Sequence, residues 1–321
     1  MLISFVVVSQ EVEESIENTM NSIAYQTDDD YEIILVSDRS IVENTKETFG
    51  KDKFWANNNF KLVLNNSVQG VSVSWNSAID LAEGKYIKFV NQGDTLDQNF
   101  VATVKKELAK HAKEEIDVVE YKGKMFGLND SETDIFLEPD KIYDLSQEFC
   151  PYAFTNVTLF NKLFRTKLLQ EFGFKFRRFV RFDLLFVYKV LGQTEKYLYL
   201  DSPAIENYLI EPVAYSAFDL VNQWTHILNY YRRIAKFKEL KDQLNYAYYK
   251  TMVHIWLWLI KQYNNKLLMK KATNFASRKF EDKKADFIKN NSVFVNTPDE
   301  KFKTICLSFE KYIKEILKLA K

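Results

Sequence analysis

Two cysteines in 321 residues leave no disulfide framework to read. Cys150 and Cys306 lie far apart, and a reducing cytosol is the default setting for such a chain. The three histidines, His111, His226 and His254, stand apart from one another and from both cysteines. That excludes zinc-ligand spacing and gives no ground for a Cys-His or Ser-His-Asp pairing. Each is read as a surface or packing residue. Charge of one sign is not in excess, with 44 Lys plus Arg against 44 Asp plus Glu. A chain so balanced has no whole-molecule field to gather a nucleic acid. No apolar run approaches the roughly 18 residues of a membrane span. Met252 to Ile260 comes nearest. The opening Ile3-Ser4-Phe5-Val6-Val7-Val8 follows no basic leader and meets no small-residue cleavage site, so it reads as a buried strand, not a signal peptide. The expectation is a cytoplasmic chain that at most touches the inner face of a membrane.

The first hundred residues alternate strand and helix. Strand patterns cover 3–9, 31–37, 60–64 and 86–90, each short and apolar. Between them, Val12, Ile16, Met20, Ile23 and Ala24 recur at helical spacing over 11–25. Residues 41–49 and 71–82 also read as helices, stopped by Gly50 and Gly84. Strand and helix at such short intervals imply an α/β fold with a mostly parallel sheet flanked by helices. Ligands of such sheets bind beyond the carboxyl ends of the strands. Those ends carry Ser9-Gln10, Asp38-Arg39-Ser40 and Asn91-Gln92-Gly93-Asp94, all polar and expected to converge on one crevice.

Five ordered blocks carry a family likeness. They are Ser22-Ile23-Ala24-Tyr25-Gln26-Thr27, then Glu32-Ile33-Ile34-Leu35-Val36-Ser37-Asp38-Arg39-Ser40, and the run from Gly70-Val71-Ser72 through Trp75-Asn76 to Ala82-Glu83-Gly84-Lys85-Tyr86-Ile87-Lys88-Phe89. Asn161-Lys162-Leu163-Phe164-Arg165 and Phe182-Asp183-Leu184-Leu185-Phe186 follow. Together they resemble the inverting family-2 glycosyltransferases, with their glycosyltransferase-A fold, over roughly residues 2 to 208. The resemblance implies transfer of a sugar from a nucleotide donor, most readily a UDP-sugar, to a hydroxyl of a bacterial surface glycan or glycoprotein.

Such transfer needs a nucleotide site, positive charge for the departing diphosphate, and a base for the acceptor hydroxyl. The resemblance places Asp38 against the uracil ring, and Ser9, Gln10, Asn76, Asn91 and Asp94 in the nucleotide-sugar site. A helix-cap or loop role fits Asp38 equally. Asp183 falls on the family's general base, just before a predicted helix over 184–191, where a cap role is the alternative. Several family positions differ here. Gln10 replaces a Tyr that packs on the base. The family's Asp-x-Asp falls on Asn91-Gln92-Gly93, leaving adjacent Asp94 as the one carboxylate that could hold Mg²⁺ or Mn²⁺, which favour oxygen-rich sites. Trp75 and Leu209 stand where the family has arginines. Arg39, Arg177, Arg178 and Arg181 are the candidate replacements.

After Ser216 the pattern turns helical, over 217–236, 240–263, 267–290 and 298–321, with Asn-Asn breaks at 264–265 and 290–291. The expected division is a nucleotide-sugar-binding domain over 1–215 and an α-helical module over 216–321. The module's aromatics read as core, or as a homo-oligomer interface or an acceptor platform. Its amphipathic, basic last helix, read over 309–321, suits bundle packing or a membrane surface. Two functions stand: an inverting glycosyltransferase, or a glycosyltransferase-like scaffold with little catalysis.

Overall fold

The computed structural model describes residues 1–9, 14–38, 59–122, 124–127, 131–132, 135–177, 184–201, 206–210 and 217–319. The expected helix over 41–49, together with Gln10, Arg39, Arg178, Arg181 and Asp183, lies outside the described residues. The chain divides into two compact units.

The first unit holds Met1–Asp134, Glu138–Ser146 and Thr158–Glu211. Its main sheet begins with β1 (Ile3–Ser9), β2 (Tyr31–Ser37), β3 (Phe60–Leu64) and β4 (Tyr86–Val90). These four are parallel and stand in the order β3-β2-β1-β4. The sheet continues through β10 (Lys162–Arg165), β6 (Val118–Tyr121), β11 (Lys196–Leu200) and β9 (Lys141–Asp144), with β10 antiparallel to both neighbours. Every residue of β1, β2 and β4 is buried, which requires cover on both faces. Helix α1 (Glu14–Ala24) supplies part of that cover by burying Ile16, Met20 and Ile23. Helices α2 (Val71–Leu81) and α3 (Phe100–Ala109) follow β3 and β4. A second, four-stranded sheet joins β5 (Thr95–Leu96), β12 (Glu206–Ile210), β7 (Lys124–Gly127) and β8 (Ser131–Glu132).

The amino-terminal edge of the parallel strands is tied by Glu32. Its buried carboxylate accepts from Ser4 Oγ at 2.6 Å, Glu83 N at 2.7 Å and Gly84 N at 3.2 Å, and pairs with Lys61 at 2.8 Å. Gly84 belongs there because a Cβ would meet the Ser4 backbone nitrogen at 2.7 Å. The family's Gly-x-Tyr-Ile block is thus a packing requirement at the edge away from the expected crevice.

The second unit holds Ile135–Leu137, Gln147–Val157 and Pro212–Lys321. It therefore takes two stretches that periodicity assigned to the first domain, one of them carrying α4 (Cys150–Phe154). Helices α5 (Thr166–Glu171) and α6 (Leu184–Leu191) belong to the first unit. In the second follow α7 (Asp219–Arg233), α8 (Lys241–Tyr249), a π-helical turn over Lys250–Ile255, α9 (Trp256–Gln262) and α10 (Lys266–Asn290). The Asn-Asn breaks are helix starts. Asn265 caps α10 through Leu268 N, and Asn291 caps α11 (Ser292–Asn296) through Phe294 N. The helical stretch over 298–321 holds two helices, α12 (Glu300–Leu307) and α13 (Phe309–Leu319), the second starting where the last helix was expected to start. They part at Ser308, whose hydroxyl bonds back to the Thr304 carbonyl at 2.6 Å. Trp224, Tyr231, Tyr246 and Trp256 are all buried, and Trp256 Nε1 reaches the Ala217 carbonyl at 2.6 Å. These aromatics form core.

His254 lies parallel to the Phe302 ring. Burial, with Lys250 and Lys301 nearby, pushes its pKa down from 6.5 to about 4, and Asp299 only partly opposes this. Between those values the unfolded chain binds a proton that the fold does not. The contribution of His254 to stability is therefore level above pH 6.5 and falls with acid toward pH 4, by up to about 1.4 kcal/mol per pH unit. Urea midpoints measured across that window should slope less in His254→Gln than in the parent chain. An identical slope would remove His254 as the cause.

Candidate functional site

Strands β2 and β3 extend from β1 on one side, and β4 lies on the other. The chain thus reverses its direction of winding between β1 and β4, where doubly wound sheets open a crevice at the carboxyl edge. Register aligns the tips. Ser9 stands opposite Ser37, and Ser37 opposite Leu64. The ladder then continues past the strands: Asp38 N donates to the Ser9 carbonyl at 2.8 Å, and Asn65 N to the Ser37 carbonyl at 3.0 Å. Ser9, Asp38 and Asn65 are therefore neighbours on one edge.

Asp38 is fully buried. Its Oδ1 accepts from Gln69 N at 2.9 Å, Asn65 Nδ2 at 3.1 Å and Ser74 Oγ at 3.3 Å, while Oδ2 accepts from Gly70 N at 2.8 Å. The carboxylate organises the loop over 65–70 and the start of α2, which has no side-chain cap of its own. Gly70, at φ 91°, adopts a backbone that favours glycine. Asn65 and this loop did not emerge from the sequence reading. The Asn, Ser and Gly clustered before a helix were the available signal.

At the other side of the switch, the turn after β4 is anchored by α1. Gly93, at φ 95°, donates its N–H to Thr19 Oγ1 at 2.9 Å. Leu96 N donates to Ser22 Oγ at 3.1 Å. Gln26 clamps the next stretch, donating to the Asp97 carbonyl at 2.7 Å and accepting from Val101 N at 3.0 Å. The Ser-Ile-x-x-Gln-Thr block therefore holds the turn in place. Asn91 is half-buried and bonds locally to the Gln92 carbonyl, and its own carbonyl accepts from Asp94 N. Mg²⁺ and Mn²⁺ need several hard oxygen donors. This turn offers two amides, a glycine and the single carboxylate of Asp94, which is buried. Among the described residues no group of three or more His, Cys, Asp or Glu gathers as ligands. The donors at 91–94 do not fit a divalent cation.

Asn76, on α2, turns its amide toward the chain after α5. Its Oδ1 accepts from Phe176 N at 2.7 Å, and its Nδ2 donates to the Phe176 carbonyl at 3.1 Å. Lys175 Nζ adds a bond to the Asn76 carbonyl and pairs with Asp80 at 2.5 Å. Next door, Trp75 is buried, with ring centroids 4.9 Å from Phe176 and 5.7 Å from Phe89. Trading the family's arginine for Trp75 converts a cationic position into apolar core. Phe176 also stacks on Phe186 of α6, with centroids 3.9 Å apart and planes within 9°. Arg177 is exposed immediately after Phe176.

Block Asn161-Lys162-Leu163-Phe164-Arg165 builds an ionic core. Lys162 and Glu120 are both fully buried and 2.9 Å apart. Asn161 Nδ2 and the Tyr197 hydroxyl donate to the same carboxylate, and Lys162 also donates to the Thr158 carbonyl. Desolvation lowers the Lys162 pKa, with Glu120 opposing. Arg165 binds Asp117 and Glu115. No helix among the described residues is long and apolar enough to cross a membrane.

Comparison with known proteins is consistent with this geometry. The family model for glycosyl transferase family 2 matches residues 4–173, more than half of the chain. Glycosyltransferase GlyA of Streptococcus pneumoniae serotype 4 is 23% identical over 171 residues, which are 53% of this chain and 23% of that protein. The chain thus spans about a quarter of the length of that relative. Among solved structures, residues 1–349 of TarS from S. aureus superpose with a TM-score of 0.64 at 18% identity, over 85% of this chain and 83% of that one. The same TarS fragment is known in complex with UDP and with UDP-GlcNAc. The mannosyltransferase PcManGT from Pyrobaculum calidifontis, in complex with GDP-Man and Mn²⁺, gives a TM-score of 0.52 at 13% identity, over 99% of this chain and 85% of that one. A mostly parallel sheet of the glycosyltransferase-A kind and a family match reaching from β1 to β10 leave one assignment: the chain belongs to glycosyl transferase family 2.

Proposed function

We propose that the chain transfers a sugar, with inversion, from a UDP-sugar to a hydroxyl of a bacterial surface glycan or glycoprotein. The observation that carries this reading is the polar edge at the β1/β4 switch, where Ser9, Asp38 and Asn65 adjoin and the turn over 91–94 is pinned by α1. Family membership supplies the reaction class, and the nucleotide sugars bound by the structural neighbours support the donor class. In this scheme Asp183 accepts the proton as the acceptor oxygen attacks the anomeric carbon. The bond from that carbon to the diphosphate breaks on the opposite face, and its electron pair leaves with UDP. Ser9, Gln10 and Asn91 hold the nucleotide, with Asp38 acting through the loop over 65–70 that it organises. No divalent cation takes part. Arg39, Arg177, Arg178 and Arg181 are the candidate cations for the diphosphate, because an ordered guanidinium stabilises charge that develops in the transition state.

Calorimetric titration with UDP, with and without Mn²⁺, tests this directly. The expected result is binding whose Kd changes less than about threefold on adding metal, since one buried carboxylate gives the ion little to hold. A Kd that tightens tenfold or more with Mn²⁺ would overturn the metal-free scheme. The scaffold reading is favoured by the internal use of both the Asp38 carboxylate and the Asn76 amide. Absence of any nucleotide binding would select it.

A further inference from the structure

The balanced charge of the whole chain conceals a local excess. Between Asp242 and Glu281 no acidic residue occurs, while seven Lys and Arg do. One of them, Lys250, is turned inward and pairs with Asp299 at 2.6 Å. The other six, Lys261, Lys266, Lys270, Lys271, Arg278 and Lys279, are exposed, and none forms an ion pair among the described residues. They sit on a helical hairpin. Helices α9 and α10 pack together through Trp256 and Phe275, with ring centroids 5.6 Å apart. The chain reverses over 263–265, where Asn264 takes φ 48° and Asn265 caps α10. The inner side of α10 is buried through Met269, Ala272, Ala276 and Phe280. Its outer side begins with Lys266, Leu267, Lys270 and Lys271, and Leu267 is 63% exposed.

Helix stability does not account for this arrangement. Cations in the first turn oppose the helix dipole, and Lys266 and Lys270 are a like-charge pair at i, i+4. The first turn of α10 holds no acid to offset them. The last helix, α13, also carries lysines, but its apolar side serves the bundle. Phe309 packs on Phe280 with centroids 5.0 Å apart, and Ile316 is buried. What α13 leaves outside is lysine mixed with Glu310 and Glu315.

We propose that the tip of the α9–α10 hairpin docks on a bilayer surface that contains anionic phospholipid, with Lys261, Lys266, Lys270 and Lys271 among the headgroups and Leu267 at the acyl boundary. Six exposed cations uninterrupted by an acid select an anionic partner. A second copy of the chain is disfavoured, since a two-fold contact here would set lysine against lysine. The exposed leucine inside the cluster selects a bilayer over a soluble polyanion, which offers nothing apolar to bury it.

The test is flotation of the full chain with vesicles of phosphatidylcholine alone and of phosphatidylcholine carrying about 30% phosphatidylglycerol. Binding is expected on the anionic vesicles and at least about tenfold weaker on the neutral ones, and it should fall steeply as NaCl rises from about 0.05 to 0.5 M. A lysine near such a surface contributes about fivefold, so Lys266→Gln/Lys270→Gln/Lys271→Gln should weaken binding about 10²-fold. Its unfolding midpoint should hold or rise, because cations leave the wrong end of a helix dipole. Removing the same charge elsewhere, in Lys311→Gln/Lys314→Gln/Lys318→Gln, should change binding less than about threefold, because those lysines stand among acids. Leu267→Ser should weaken binding while leaving its salt dependence as it was. No binding to anionic vesicles would overturn the proposal. Equal losses in the two triple variants would assign binding to net charge and overturn the hairpin as its seat. Loss in the first triple beside full binding in Leu267→Ser would make the cluster a polyanion site and overturn the bilayer as its partner.

Discussion

Asp183→Asn is expected to lower kcat by about 10²- to 10⁴-fold, the usual contribution of a positioned general base. The unfolding midpoint should not move. Asn and Asp cap helices about equally well, so the start of α6 at Leu184 is kept while the ability to take a proton is lost. That separates the two roles open to Asp183. A cap alone would tolerate Asn with full turnover, and such a result would end the base assignment. The UDP Kd should stay near that of the parent chain, because the role assigned to Asp183 is to take the acceptor's proton and not to hold the nucleotide. The acid limb of the kcat–pH profile should also vanish in the variant, since the group that titrates there has gone.

The largest effect on stability is expected at Lys162. Lys162→Met should cost about 3–5 kcal/mol, because it strips a buried carboxylate of its cation while that carboxylate stays out of water. Glu120 would keep Asn161 and the Tyr197 hydroxyl as donors, but two neutral donors do not balance a buried charge. Urea unfolding measures the loss. Replacing both partners, as Glu120→Met/Lys162→Met, should recover most of it, since an apolar pair of similar volume is often no worse than a buried ion pair. A loss below 1 kcal/mol in the single variant would show that the pair is not charged in the fold.

Much of the first unit was legible residue by residue. The strands at 3–9, 31–37, 60–64 and 86–90 and the helix over 184–191 stand where apolar runs and helical spacing placed them. Those signals are local, so one sequence suffices. The Asn-Asn breaks were legible as helix ends, and their capping role follows from the same chemistry. The site was legible only in part. Ser9, Asp38, Asn76, Asn91 and Asp94 could be named, but their partners could not. The donors to Asp38 lie 27 to 36 residues along the chain, and Asn76 meets Phe176 across 100 residues. Nothing in the composition near position 76 announces a partner at 176. The start of the last helix at Phe309 was legible, while the bond by which the Ser308 hydroxyl reaches back to the Thr304 carbonyl, at the end of the helix before it, was not.

By itself the sequence determined the strand and helix periods, the polar strand ends, the family, and the thin provision of carboxylates at 91–94. These are properties of side-chain type and spacing, which need no partner to be expressed. Tertiary structure alone decided which polar groups are already spoken for. It turned Asp38 inward to organise a loop, gave Thr19 and Ser22 the task of pinning a turn, and aimed Asn76 at a backbone rather than at open solvent. The physical reason is that an amide or carboxylate has few bonding directions, and only the packed chain settles which neighbour fills them.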